Sequence, residues 1–307
     1  MTLDNPVKPD EGDFRCGTAA IVGRPNVGKS TLVNALVGQR FSIAGPKPQT
    51  TRHRILGIVT RVRGQILLLD TPGLHADGAR ALNRQLNRAA RGAIAEADVG
   101  VQLIEAGRWT AEDQLVRNQL ADSAQPRLLA LNKVDAQKDK KRLLPFLEKV
   151  ANDGFYAGVF LISARRRDGI EALEHAIIGH LPVAPAQFVD DEFTDRSERF
   201  LATELIREQL MLRLAQELPY AVTVEIETFT DRDDGVAEIN AAIWVEREGQ
   251  KAIVIGKGGQ QLKTIGSAAR QAMIKLFGRR VFLKLWVKVR ENWSDDEAAL
   301  HRFGYSD

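Results

Sequence analysis

Short runs of apolar and β-branched residues recur along the first half of the chain. They lie at 18–22 (TAAIV), 55–59 (ILGIV), 65–69 (QILLL), 98–104 (DVGVQLI), 127–131 (RLLAL) and 158–162 (GVFLI). Most are separated by stretches whose apolar residues repeat at helical spacing. Leu32, Leu36 and Val37 line one face of the first such stretch. Leu115, Val116 and Leu120 line a later one, opened by Thr110 with Asp113 three residues on, a capping-box pattern. Ile170, Leu173 and Ile177 line the last. Strand–helix alternation predicts a mainly parallel sheet with helices on both faces. One pair departs from this. Only about five residues, Gly64 among them, join the 55–60 run to the 65–69 run. That is a hairpin length, so one edge of the sheet is expected to be antiparallel.

The pattern changes at LPVAPAQFVDDEFTD, 181–195, which holds two prolines and little periodicity and reads as a linker. Beyond it the spacing predicts a long helix from Ser197, its N-cap, to about Glu217, stopped by Pro219. Strands are expected near 221–229 and 236–247, turning at DRDDG. AIVIG reads as a short apolar strand, followed by a helix over about 260–277. RVFLKLWVKVR closes the series, alternating Val281, Leu283, Leu285, Val287 and Val289 with Phe282, Lys284, Trp286, Lys288 and Arg290. Helix–strand–strand–helix–strand is a small α+β domain. The expected division is therefore a disordered tail over 1–15, an α/β domain over 16–182, a linker over 183–196 and an α+β domain over 197–307 with a C-terminal tail.

Composition narrows the class. The chain has 307 residues, 44% hydrophobic and 27% charged, which is the balance of a globular protein of about two domains rather than a disordered one. No apolar run reaches the ~18–20 residues that span a bilayer. The polar N-terminus, MTLDNPVKPDEGDFR, resembles neither a secretory signal nor a transit peptide. One cysteine, Cys16, excludes an internal disulfide and a cysteine-based zinc site, and points to a reducing cytosol. Net charge is only +3, but it is unevenly spread. Residues 249–290 carry ten Lys/Arg and no Asp/Glu, whereas 199–248 carry five against eleven. An acid-free window of that length suggests a polyanionic partner.

The chemistry starts at GRPNVGKST, 23–31. This is G-x-x-x-x-G-K-S between a strand and a helix, the context a phosphate-binding P-loop requires. Gly23 and Gly28 permit the tight turn that aims successive N–H groups at phosphate oxygens. With them, Asn26, Val27, Lys29, Ser30 and Thr31 form the expected nucleotide cradle. Lys29 supplies charge for the β- and γ-phosphates, and the Ser30 hydroxyl is a candidate Mg²⁺ ligand. NKVD, 132–135, follows the strand RLLAL and selects the base. A carboxylate at Asp135 can accept both N1–H and N2–H₂ of guanine, donors that adenine lacks in that arrangement. Asn132 and Lys133 brace this loop and cover the base. SAR, 163–165, brings Ser163 and the Ala164 N–H, the latter aimed at guanine O6. DTPG, 70–73, ends another strand. Asp70 can orient Mg²⁺ through a water, and Gly73 can sense the γ-phosphate. Loss of that phosphate would release the following loop. In KPQTTRHR, 47–54, Thr51 is favoured over Thr50 as a Mg²⁺ ligand present only with GTP.

IVIGKGGQQLKTI, 253–265, holds a G-x-x-G loop opening an amphipathic helix, with a lysine inside it. That is the KH arrangement, which clamps the backbone of about four single-stranded nucleotides. Gly256, Lys257, Gly258 and Gly259 are the expected RNA loop, with Lys263, Arg270 and Lys284 on its electrostatic rim and Lys275, Arg279, Arg280 and Lys288 as further basic residues. Trp244, Trp286 and Trp293 read as core or surface residues ahead of base-stacking platforms.

The set GRPNVGKST, KPQTTRHR, DTPGLH, NKVD and SAR resembles the Era branch of the translation-factor-type GTPases, as does LNRQLNRAARGAIAEADV after the switch. The resemblance runs to the end of the chain. It implies a P-loop GTPase domain followed by a type II KH domain, and GTP, GDP and Mg²⁺ as ligands. It also implies the single-stranded 3′ end of 16S ribosomal RNA and the 30S subunit as partners, during maturation of that subunit. A cytoplasmic monomer is expected; peripheral association with the inner membrane is implied by resemblance, with no anchor encoded. Ras-like enzymes place a water-orienting glutamine after the switch glycine, where this chain has Leu74. Turnover is therefore expected to be slow. Among related potassium-activated GTPases an asparagine at the place of Asn26 helps bind K⁺, so Asn26, Lys29 and Gly73 are the catalytic candidates. His75 reads as an exposed loop residue. On the residues alone, an RNA-binding protein with a structural nucleotide and a signalling GTPase whose second domain binds protein stay open.

Overall fold

In the computed structural model, the described residues are 14–45, 47, 50–73, 81–137, 143–151, 153–215, 218–303 and 305. The expected disordered tail over 1–15, Leu74 and His75 lie wholly or mainly outside them. The chain divides into two compact units. One comprises residues 1–38, 55–71 and 91–195, the other 39–54, 72–90 and 196–307. No helix of the described residues is long and apolar enough to cross a membrane.

The first unit is built on a six-stranded sheet. Its strands are β1 (Arg15–Val22), β2 (Ile55–Arg61), β3 (Gly64–Asp70), β4 (Val99–Glu105), β5 (Arg127–Asn132) and β6 (Gly158–Leu161), in the order β2-β3-β1-β4-β5-β6. Every neighbouring pair is parallel except β2 with β3, the hairpin that the short connection predicts. Strands β1 and β3 are buried almost throughout, as a parallel sheet covered on both faces demands. Helices α1 (Lys29–Val37), α3 (Ala111–Ala121), α4 (Leu143–Ala151) and α5 (Ile170–His180) belong to this unit; α2 (Ala81–Glu96) is shared between the two. Thr110 caps α3 reciprocally with Asp113, as its sequence implies. The aperiodic stretch after α5 is not loose. Buried Gln65 donates to the Phe188 carbonyl and accepts from the amides of Gln187 and Phe188. Further on, the Ile58 amide donates to Phe193 and the Thr194 hydroxyl to Leu56.

The second unit carries a three-stranded sheet, β7 (Val222–Asp231), β8 (Ala237–Val245) and β9 (Val281–Val289), with β7–β8 antiparallel and β8–β9 parallel. Helix α6 (Glu198–Arg213) starts at its Ser197 cap but ends four residues before the expected Glu217. AIVIG is the larger correction. Residues Glu248–Ile255 form a helix, α7, which runs into the G-x-x-G loop and then α8 (Gln260–Phe277). A C-terminal helix, α9 (Glu297–Arg302), was not expected. The order is thus helix–strand–strand–helix–helix–strand–helix. Val281 and Val287 of β9 are buried with Ile265, Ala269 and Met273 of α8 and Leu205, Ile206 and Leu210 of α6. Trp293 is fully buried beside Leu86, Leu300 and Phe303, so it is core and not a stacking platform.

Thr50, Arg52 and His53 are pinned within this second unit. The Arg207 guanidinium, buried and paired with Glu204, donates to the Thr50 carbonyl. Arg52 donates to the carbonyls of Val222 (2.9 Å) and Pro219 (3.3 Å) and to the Tyr305 hydroxyl. His53 stacks on Tyr305 and meets Phe200 edge-on, and desolvation there pushes its pKa down to about 4. It is therefore neutral at physiological pH.

Candidate functional site

The P-loop joins β1 to α1, and two close approaches explain its glycines. A Cβ at Gly23 would sit 2.4 Å from the Leu103 carbonyl oxygen. At Gly28, where φ is +103°, it would sit 2.4 Å from Asn132 Nδ2. Gly28 is also the N-cap of α1 and supplies no side-chain acceptor, and a helix N-terminus of this kind favours an anion. Lys29 is buried, its ammonium donating to the carbonyls of Gly23 (2.8 Å) and Arg24 (3.0 Å). Burial lowers its pKa to about 8, with Asp70 acting to raise it. A phosphate would supply the counter-charge that the buried ammonium needs. Asn26 has φ +64° and an exposed side chain.

Asn132 is the hub of the base loops. Its Nδ2 donates to the Val27 carbonyl (2.8 Å) and its Oδ1 accepts from the Ala164 amide (2.9 Å). The Ala164 N–H expected to face guanine O6 is thus engaged by Asn132. Val134 anchors a short 3₁₀ turn in the core beside Leu129 and Leu131. That turn carries Asp135. The Ser163 hydroxyl donates to Asp135 Oδ1 at 2.7 Å and is the main reason its carboxyl stays below the usual range. An ionised, oriented acceptor pair is what guanine recognition requires.

Asp70 and Ser30 lie buried in the first unit, Asp70 at the end of β3 in register with Ile21. Thr51, also buried, and Gly73 belong to the second unit. The Ser30 hydroxyl and the Asp70 carboxylate of the first unit are oxygen donors, which suit a hard cation such as Mg²⁺. Among the described residues no three His, Cys, Asp or Glu converge as an all-protein cage. Mg²⁺ bound mainly through phosphates and waters needs none.

Two residues at the site carry roles that the motifs did not reveal. Arg24 is buried and donates to Glu105 and Asp113, both at 3.2 Å. Glu105 also accepts from Lys133, at 3.2 Å. The signal was available for Glu105: β4 runs apolar residues into an acid, as β3 does at Asp70.

In the second unit, Gly256, Gly258 and Gly259 all have positive φ. Gly259 caps α8 without a side-chain acceptor, so another helix N-terminus is open. Lys257, Lys263 and Arg270 are exposed and have no acidic partner among the described residues. Lys284 is not brought to them: it projects from the β9 face opposite the one that packs on α6 and α8. Arg279 and Lys288 are spent on ion pairs with Glu198 and Glu227.

A family model described as a 50S ribosome-binding GTPase matches residues 18–133, and a KH-domain model matches 217–294. A GTPase Era of Stenotrophomonas maltophilia is 59% identical over 296 residues, covering 96% of this chain and 99% of its own. The chain belongs to the Era family of GTPases. Another Era relative, from Xanthomonas oryzae, is 58% identical over 95% of this chain and 97% of its own. Among solved structures, Aquifex aeolicus Era bound to GDP·AlF₄⁻ matches with a TM-score of 0.92 and 35% identity, over 96% of this chain and all of that one. An Era structure containing MgGDPNP and nucleotides 1506–1542 of 16S ribosomal RNA matches equally well. Era membership accounts for both domains: a GTPase with a mostly parallel sheet and one antiparallel strand, and a KH domain bearing the glycine loop.

Proposed function

We propose that this chain is a GTP-switched assembly factor that binds the single-stranded 3′ end of 16S ribosomal RNA and assists 30S subunit maturation. The observation that carries this reading is the pairing, in one chain, of the Ser163-oriented Asp135 with an open G-x-x-G loop. The Era relative with GDPNP and a 16S fragment supports the choice of RNA. The GTPase domain is read as 16–182, the linker as 183–196 and the KH domain as 197–307, acting as a cytoplasmic monomer.

In this reading the amides of Gly28 to Thr31 and the Lys29 ammonium hold the phosphates. Ser30 and Thr51 would ligate Mg²⁺ and Asp70 would orient it through water; the ion would supply charge neutralisation for phosphoryl transfer. Gly73 presents its N–H to the γ-phosphate. Titrating labelled GTP and single-stranded RNA, separately and together, tests the switch. RNA affinity should fall steeply with salt and differ between GTP and GDP states. Affinity indifferent to the nucleotide would leave an RNA-binding protein with a structural nucleotide.

Catalysis without the switch glutamine rests on Asn26 in this reading. Its left-handed backbone and exposed amide support it as a K⁺ ligand. Turnover should then be faster in K⁺ than in Na⁺ at equal ionic strength. Equal rates would return the chain to unassisted hydrolysis.

A further inference from the structure

Glu105 closes β4 midway between the two loops that hold the nucleotide. Its Oε2 accepts from Arg24 Nη2 of the P-loop and from Lys133 Nζ of the NKVD loop, each at 3.2 Å. One oxygen thus serves two cations that would otherwise repel each other. Arg24 is fixed from its other side. Its Nε donates to Asp113, which is fully buried and also accepts from the Thr110 amide and hydroxyl. Lys133 has no such second anchor: Glu105 is its one acidic partner among the described residues. Lys133 also sits at φ +65°, a conformation that a lysine keeps only when its surroundings hold it there. Burial acts to raise the Glu105 carboxyl, but Lys133 and Arg24 outweigh it and keep the group ionised.

We propose that Glu105 is a positioning residue for the bound guanine nucleotide, clamping the P-loop to the base-recognition loop through Arg24 and Lys133 and so setting how long GDP is retained. This rests on the reading of the site as a GTP site. The clamp lies on the base side, through Lys133. Lys29, assigned to the phosphates, meets the clamp only at the Arg24 main-chain carbonyl (3.0 Å), which a change at the Glu105 side chain leaves in place. Removing the charge should therefore loosen nucleotide retention without slowing the chemical step.

The full-length chain with Glu105→Gln is the test, because Gln keeps the shape and removes the charge. Release of fluorescent N-methylanthraniloyl-GDP, chased with unlabelled GDP, should quicken about tenfold. Single-turnover hydrolysis of bound GTP should stay within about twofold, a split that a general loss of structure would not give. Combining Glu105→Gln with Lys133→Gln should add less than about a further twofold to the release rate of Lys133→Gln alone. Unchanged release in Glu105→Gln, or the same acceleration in both backgrounds, would overturn the clamp. Failure of the unsubstituted chain to retain labelled GDP would instead overturn the GTP-site reading beneath it.

Discussion

Asp135→Asn is expected to lower affinity for GDP and GTP by about a thousandfold and to create a preference for xanthine nucleotides. The carboxylate offers only acceptors, and guanine offers two adjacent donors, N1–H and N2–H₂. Asparagine would turn an N–H₂ towards the guanine amino group, donor against donor, inside a site built to satisfy both. Xanthine carries a carbonyl in place of that amino group, so the same side chain becomes complementary. The structure favours a clean exchange. Ser163 donates to Asp135 Oδ1 at 2.7 Å, and an asparagine oxygen can accept that bond. The turn itself is held by backbone bonds, Val134 N–H to Ile162 and Ala136 N–H to Lys133, which the substitution leaves alone. Competition of GDP and XDP against a fluorescent nucleotide reads the outcome. A variant that still prefers GDP would mean that Asp135 does not contact the base.

The base loops were legible in the sequence because their geometry is local. A strand, a tight turn and the residues that follow determine where Asp135 points, and NKVD after RLLAL contains all three. The β2–β3 hairpin was legible for the same reason: its short connection leaves the chain no length for a crossover. Helix α7 was not. AIVI is an apolar run too short for periodicity to separate strand from helix. In the fold only Val254 of that helix is fully buried, while Ile253 is 59% exposed, a one-sided burial that four residues cannot display. The deciding feature lay upstream, where the Gln250 side chain accepts from the amides of Glu246 and Arg247.

Residues 47–54 failed to declare themselves for a different reason. KPQTTRHR reads as a segment whose Thr51 reaches Mg²⁺, and nothing in it announces that Arg52 is buried along with Thr51. Their surroundings come from positions far along the chain. Arg52 meets Val222, Pro219 and Tyr305, and Thr50 meets Arg207. No local pattern announces a buried arginine whose acceptors are main-chain carbonyls some 170 residues away. The segment that carries the candidate Mg²⁺ ligand is therefore part of the RNA-binding unit's packing, and sequence motifs alone assign it to the nucleotide.

Gly258→Asp should abolish RNA binding and leave nucleotide affinity unchanged. Gly258 sits at φ +58° and ψ 23°, and a Cβ there would meet nothing within 4 Å. Aspartate is among the few residues that visit this left-handed region readily, so the loop should keep its shape. What changes is the charge. A carboxylate would stand at the open N-terminus of α8, beside exposed Lys257, where the phosphate backbone is expected to approach. It would be stabilised there itself and would repel the ligand. Gly256 offers no such clean probe: its Cβ would sit 2.6 Å from that of Gln261, so any side chain distorts the helix start. Gly258→Ala separates bulk from charge. It adds a Cβ without the carboxylate, at a somewhat greater backbone cost than aspartate, and should weaken binding only partly, whereas the aspartate should cost about a hundredfold or more at moderate salt. Labelled single-stranded RNA and labelled GDP, titrated into the same protein preparations, read both effects. If the aspartate variant binds RNA like the unsubstituted chain, the G-x-x-G loop does not contact the backbone and the basic face of α8 must bind RNA without it.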